Sequence, residues 1–242
     1  MLMESNTIFE DLADLTDMVI NGIQPSVVIT GMAGIGKTQT VKHRIKHANL
    51  SGNDYKFIKG YTSTMGLYTT LYHNRQKLVI FDDCDAVFKD STSVNILKAA
   101  LDSYDSRTIS WKSRVTTRFI GMSTIQRRRA KAAGKIPSEF EFEGGIIFIS
   151  NFPASAIDPA VLSRSFVIDV VLTREEIVNR IDEILPKLMP EVALDFKEST
   201  LTFFKNEPST AFKEFNIRTF TNAIKIRQST PDGWENLVKK YA

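Results

Sequence analysis

Eight consecutive residues, Gly31-Met32-Ala33-Gly34-Ile35-Gly36-Lys37-Thr38, constrain the fold of this chain more than any other feature. They follow an apolar run, Ser26 to Thr30, and lead into Gln39 to Ala48, whose pattern is helical. A strand that turns into a helix through three glycines opens an α/β unit, because glycine readily adopts the positive φ angles such a turn requires. The spacing G-x-x-x-x-G-K-T also points successive backbone N–H groups inward, at the start of a helix whose dipole favours anions. A loop of this kind, here Gly31 to Gln39, cradles phosphates: Lys37 reaches the β and γ oxygens and the Thr38 hydroxyl ligates Mg²⁺. The expected ligand is a nucleoside triphosphate. A glycine-rich turn that matches by chance is the competing reading, and the flanking strand, the flanking helix and a second motif downstream all weigh against it.

That second motif is Leu78-Val79-Ile80-Phe81-Asp82-Asp83, four apolar residues ending in two carboxylates. It looks like a Walker B strand. A strand buried on both faces of a parallel sheet reads as a continuous apolar run, and its C-terminal end delivers acidic side chains to the crevice where phosphates sit. Asp82 is then expected to hold Mg²⁺ and Asp83 to polarise the attacking water.

Strands and helices alternate through the first two thirds of the chain. An amphipathic helix is expected over 7–21, further strands over 55–59, 146–150 and 166–171, and helices over 64–73 and 91–102, the latter capped by Ser91 or Thr92. The pattern predicts an α/β fold with a five-stranded parallel sheet and helices on both faces, spanning 1–172. From Thr173 onward only helical patterns occur, near 174–188, 199–206, 217–228 and 233–241, so a small α-helical domain is expected over 173–242. The alternative is that these helices cover the sheet.

With 242 residues, 43% of them hydrophobic and 24% charged, the chain can bury a sizeable core. It contains no apolar run of the roughly 18 residues a membrane-spanning helix needs, and Met1-Leu2-Met3-Glu4 lacks the regions of a signal peptide. A cytoplasmic protein with no membrane partner is expected. The one cysteine, Cys84, reads as a packed thiol, and His43 and His47 as part of a solvated helical face. The net charge of +3 hides an asymmetry: from Ser106 to Ser138 there is no Asp or Glu, yet Arg107, Lys112, Arg114, Arg118, Arg127, Arg128, Arg129, Lys131 and Lys135 all fall there. Such a stretch is either a surface for a polyanion or a solvated basic loop.

Three further features make the chain resemble the AAA+ ATPases over roughly residues 20–230, and its compact size, with one ATPase module, resembles that of small phage- or plasmid-encoded members of the clamp-loader and helicase-loader type. The strand ending in Asn151 looks like the sensor 1 strand, whose amide orients the lytic water. Ile157-Asp158-Pro159-Ala160-Val161-Leu162-Ser163-Arg164-Ser165 is similar to the segment bearing an arginine finger, which implies that Arg164 acts in a neighbouring subunit's site. Asn216-Ile217-Arg218-Thr219 looks like sensor 2, which implies that Arg218 touches the γ-phosphate from a helical lid over 173–242. One departure stands out: Asp83 replaces the glutamate that most members carry after the Mg²⁺ aspartate. A carboxylate set back by about 1.5 Å, one carbon bond, leaves hydrolysis slow or dependent on Asp85.

The resemblance implies an oligomeric ATPase, a homo-oligomeric ring expected to be a hexamer, with ATP and Mg²⁺ as cofactors. Its expected work is on nucleic acid, as translocation, remodelling or loading of a replication or recombination factor. Lys112, Arg114, Arg127, Arg128, Arg129 and Lys131 would track phosphates, with Trp111 or Phe119 available for stacking. A protein-remodelling ATPase with a polypeptide client, using Tyr61 or Met65, is the alternative, as is a slow-hydrolysing ATP-dependent switch.

Overall fold

The computed structural model describes residues 4–102, 106–113, 116–117 and 121–241, and omits the side chains of residues 4–6 and 209. In chain order the elements are α1 (Glu4–Ile20), β1 (Ser26–Gly31), α2 (Lys37–His47), β2 (Tyr55–Lys59), α3 (Thr64–His73), β3 (Leu78–Asp82) and α4 (Ser91–Ala100). There follow β4 (Thr108–Ser110), β5 (Thr116–Thr117), α5 (Thr124–Ala132), β6 (Ile136–Pro137), β7 (Glu139–Glu141), β8 (Ile146–Ile149), α6 (Pro159–Leu162) and β9 (Phe166–Val170). Four helices close the chain: α7 (Arg174–Ile184), α8 (Leu194–Asn206), α9 (Ile217–Ser229) and α10 (Trp234–Tyr241).

β1, β2, β3, β8 and β9 form one five-stranded parallel sheet in the order β2-β3-β8-β1-β9, flanked by helices. β8 lies between β1 and β3, with Val28 and Phe81 both opposite Phe148. The apolar runs of these central strands have a simple cause: each is buried on both faces. Val28, Val79, Phe81, Ile146 and Phe148 enter one core with Leu67 and Leu71 of α3 and Val94 and Leu97 of α4, while the alternate residues Val27, Ile29, Ile80 and Ile147 are fully buried on the opposite face.

The chain divides into two compact units. The sheet unit comprises Leu12–Gly31 and Val41–Asp169; the other groups the described residues of Met1–Asp11, Met32–Thr40 and Val170–Ala242. The glycine-rich loop thus belongs with the C-terminal helices. The core of that helical unit is aromatic: Phe204 packs against Phe212, Phe215 and Phe220 at centroid distances of 4.8, 4.9 and 6.0 Å, and Phe203 against Trp234 at 4.7 Å. Arg174 lies over Phe212 and Phe215 and donates Nη2 to the Phe204 and Glu207 carbonyls.

Several boundaries differ from those expected. Asp90, not Ser91 or Thr92, caps α4, accepting from Ser93 N at 2.7 Å. α7 ends at Ile184, short of Leu188. α8 begins at Leu194, five residues earlier than its pattern predicts. Lys197 hides that first turn, because it interrupts the apolar period yet is 2% exposed, donating Nζ to Leu188 O at 2.9 Å.

Candidate functional site

In the helical unit, the loop from Met32 to Lys37 closes on itself. Lys37, the first residue of α2 and only 5% exposed, donates Nζ to Met32 O at 2.7 Å. Gly31, Gly34 and Gly36 all carry positive φ angles, 115°, 75° and 104°. Ile35 is buried, Met32, Ala33 and Thr38 are half-buried, and Gln39 is exposed. α9 presses on this loop: Ile217 N donates to Gly34 O at 3.1 Å, and a Cβ built at Gly34 would meet the Asn216 side chain at 2.8 Å. Asn216 is itself fixed, accepting from Thr219 N as the α9 cap and donating to Glu214 at 2.9 Å. Arg218, exposed, follows the residue that bonds the loop. Asn216, which the sequence offered only as the first residue of Asn216-Ile217-Arg218-Thr219, and Glu214, which it did not offer, are the side chains found beside the loop here; the signal was a capping residue directly before Ile217.

In the sheet unit, the carboxyl ends of β3 and β8 form an acidic edge. Asp82 is 2% exposed, and Lys59, its register partner on β2, places Nζ 3.6 Å from its Oδ2. Asp83 has φ 57°, a left-handed conformation that a non-glycine residue holds only when its neighbours enforce it. They do so here: its N–H donates to Ile149 O at 3.0 Å and its Oδ1 accepts from Asn151 Nδ2 at 2.7 Å. The next residue but one is gripped too, Asp85 Oδ1 accepting from Ser150 Oγ at 2.6 Å. Ser150, the polar residue that follows Ile146-Ile147-Phe148-Ile149, makes a contact that the apolar pattern concealed. Cys84 is buried between the two aspartates, near the Ile58 and Asp82 carbonyls, and burial pushes its thiol up to about 11.

Arg164 stands at the other edge of the same sheet. Its carbonyl accepts from Ser26 Oγ at the first residue of β1, and Ser26 also bonds Ser165 at 2.7 Å. A strand advances about 3.3 Å per residue, so roughly 16 Å of β1 separates this edge from the acidic one. The half-buried guanidinium folds back, Nη1 donating to Ala160 O at 3.0 Å.

The basic stretch forms an excursion between α4 and β8. β4 and β7 pair antiparallel at its base, β5 and β6 pair above them, and α5 lies between β5 and β6 in sequence. Trp111, half-buried, packs its ring 5.2 Å from Tyr68 against the sheet unit's core. Arg107 is likewise structural: it donates to Ala100 O and lies over Phe142, and burial lowers its pKa. Lys112, Arg127, Arg128, Arg129 and Lys131 are all exposed. Arg114, Arg118 and Phe119 lie outside the described residues.

Among the described residues, no group of three or more His, Cys, Asp or Glu side chains is arranged to hold a metal ion, and no helix is long and apolar enough to cross a membrane. No protein-family model matches the chain. It is 30% identical over 255 aligned positions to the "Uncharacterized 36.7 kDa protein in nrdC-mobD intergenic region" of Enterobacteria phage T4, in a match that takes in 98% of this chain and 74% of the phage protein. The chain belongs to the family of that phage T4 protein.

Proposed function

We propose that the protein is a magnesium-dependent ATPase of the AAA+ type that assembles into a ring and works on nucleic acid. One observation carries the reading: three glycines with positive φ close the 31–38 loop around the Lys37 ammonium, a conformation that turns backbone N–H groups toward an anion. In this reading Lys37 neutralises the β and γ oxygens of ATP. Thr38 and Asp82 supply hard oxygen donors of the kind Mg²⁺ takes, and the bound ion supplies charge neutralisation on the transferred phosphoryl group. Asp83, held by Asn151, orients the attacking water, Arg218 contacts the γ-phosphate, and Arg164 serves a neighbouring subunit. The exposed cations of α5 and Lys112 contact phosphates of the nucleic acid. A relative encoded by a phage accords with a role in phage DNA metabolism.

The test is direct. Wild-type protein is expected to bind a fluorescent ATP analogue in Mg²⁺ and to turn over ATP faster when DNA is added. Lys37→Ala removes binding, and replacing Arg127, Arg128 and Arg129 together with Ala removes the stimulation while leaving unstimulated turnover. Absence of ATP binding by the wild type refutes the proposal. A second reading rests on Tyr61 and Met65, which are 80% and 48% exposed beside the end of β2. Stimulation by an unfolded polypeptide, and not by DNA, would make the client a protein.

A further inference from the structure

We propose that α5 inserts into the major groove of B-form duplex DNA. This deepens, and rests on, the nucleic-acid reading of the basic stretch. The helix has nine residues and no buried side chain, and helices this short are marginal in water. Its ends are nevertheless well made. Ser123 and Gln126 form a reciprocal capping box at the start; at the finish Gly134, at φ 71°, donates its N–H to Lys131 O, and Lys135 N donates to Ala130 O. Local signals, not packing, keep this segment helical, which sets its exposed side chains at helical spacing on an element that lies between β5 and β6 in chain order.

That array has a front, a back and two flanks. At about 100° per residue, Lys131 falls about 40° from Arg127 and Arg129 about 200° from it. Arg127 and Lys131 therefore form one flank and Arg129 the opposite one. Arg127 is steadied by donation of Nε to Met122 O at 3.1 Å. Ala130, the one half-buried residue of α5, marks the back. Directly opposite it, between the flanks, lie Arg128 and Ile125, the latter 65% exposed.

Cations on opposite sides of a rod match two phosphate walls, and a single strand offers only one. A helix with its side chains is about 10–12 Å across, and the B-DNA major groove is about 12 Å wide, whereas the minor groove is only about 6 Å. The A-form major groove of duplex RNA is too deep and narrow to admit it. Seated in this way, Arg127, Lys131 and Arg129 pair with phosphates on the two strands. Arg128 and Ile125 face the base edges, where an arginine meets guanine O6 and N7 and an apolar side chain meets the thymine methyl.

Fluorescence anisotropy with the full chain, without nucleotide, tests this. The expected order of affinity is duplex DNA above single-stranded DNA and duplex RNA. Arg129→Ala and the pair Arg127→Ala/Lys131→Ala should each weaken duplex binding, lowering the slope of log K against log salt by about 1 per phosphate contact removed. Arg128→Ala should leave that slope less changed and narrow the preference between sequences. Bulky substituents on pyrimidine C5, which project into the major groove, should lower affinity, and a minor-groove ligand should not compete. Thermal unfolding checks that the variants, all at exposed positions, remain folded. Equal or tighter binding to single strands or duplex RNA, or loss on one flank only, overturns the major-groove assignment and leaves the nucleic-acid reading intact. Binding to no nucleic acid even at low salt overturns both.

Discussion

Gly34 shows how closely one residue can be specified. Its φ of 75° disfavours any side chain, and the Asn216 amide occupies the space where a Cβ would stand. Gly34→Ala therefore carries two penalties: about 1–2 kcal/mol for a left-handed non-glycine residue, and the displacement of a capping residue whose loss costs about 1 kcal/mol. Asn216→Ala carries only the second. The double variant should be less destabilised than the sum of the singles, since the displaced cap is counted once; urea denaturation of the four proteins measures it, and strict additivity would show that the contact carries no energy. At this scale the sequence was informative where backbone geometry demands a residue type, as at Gly31, Gly34 and Gly36. It was silent where a side chain acts through another. Ser150 and Asn216 are ordinary polar residues until the structure shows Asp85 and Gly34 beside them.

Among the elements, α4 illustrates what a cap contributes and how pH changes it. Asp90 accepts from Thr64 Oγ1 at 2.6 Å and from Ser93 N at 2.7 Å, and these bonds, the Thr64 hydroxyl foremost, hold its pKa below the usual carboxylate value. A depressed folded pKa means that its stabilisation is full above the unfolded value, about 3.9, and is lost as pH falls through the lower folded value. Asp90→Ala should cost about 1 kcal/mol near neutral pH, with the deficit shrinking below about pH 4; chemical unfolding at two pH values tests both. Apolar strands were the most legible elements, since burial on both faces writes itself as an unbroken run. Helix starts were the least legible. A cap one residue upstream of the expected one, or a lysine buried by a single hydrogen bond as in α8, leaves no periodic trace.

For the whole molecule, an alternating α/β pattern made the five parallel strands legible, but strand order was not, because periodicity is blind to which strand lies beside which. That order matters: it sets the Asn151-bearing strand between β1 and the Asp82-bearing strand. Arg164 lies at the sheet edge opposite Asp82 and Asp83, so the proposed ATPase activity depends on neighbours. Mixing Lys37→Ala with Arg164→Ala subunits should restore part of the turnover that each lacks alone, and co-assembly without recovery would remove Arg164 from its assigned role. The turn between Asp83 and Asp85 has a consequence of another kind. The chain has a single cysteine, and Cys84 is shut inside that turn, its thiol kept protonated well above neutral pH. A thiol that is neither ionised nor accessible is a poor target for peroxide and for disulfide exchange. Copies of the folded chain therefore have no accessible thiol with which to crosslink, and the turn beside the acidic edge resists thiol oxidation without a dedicated guard.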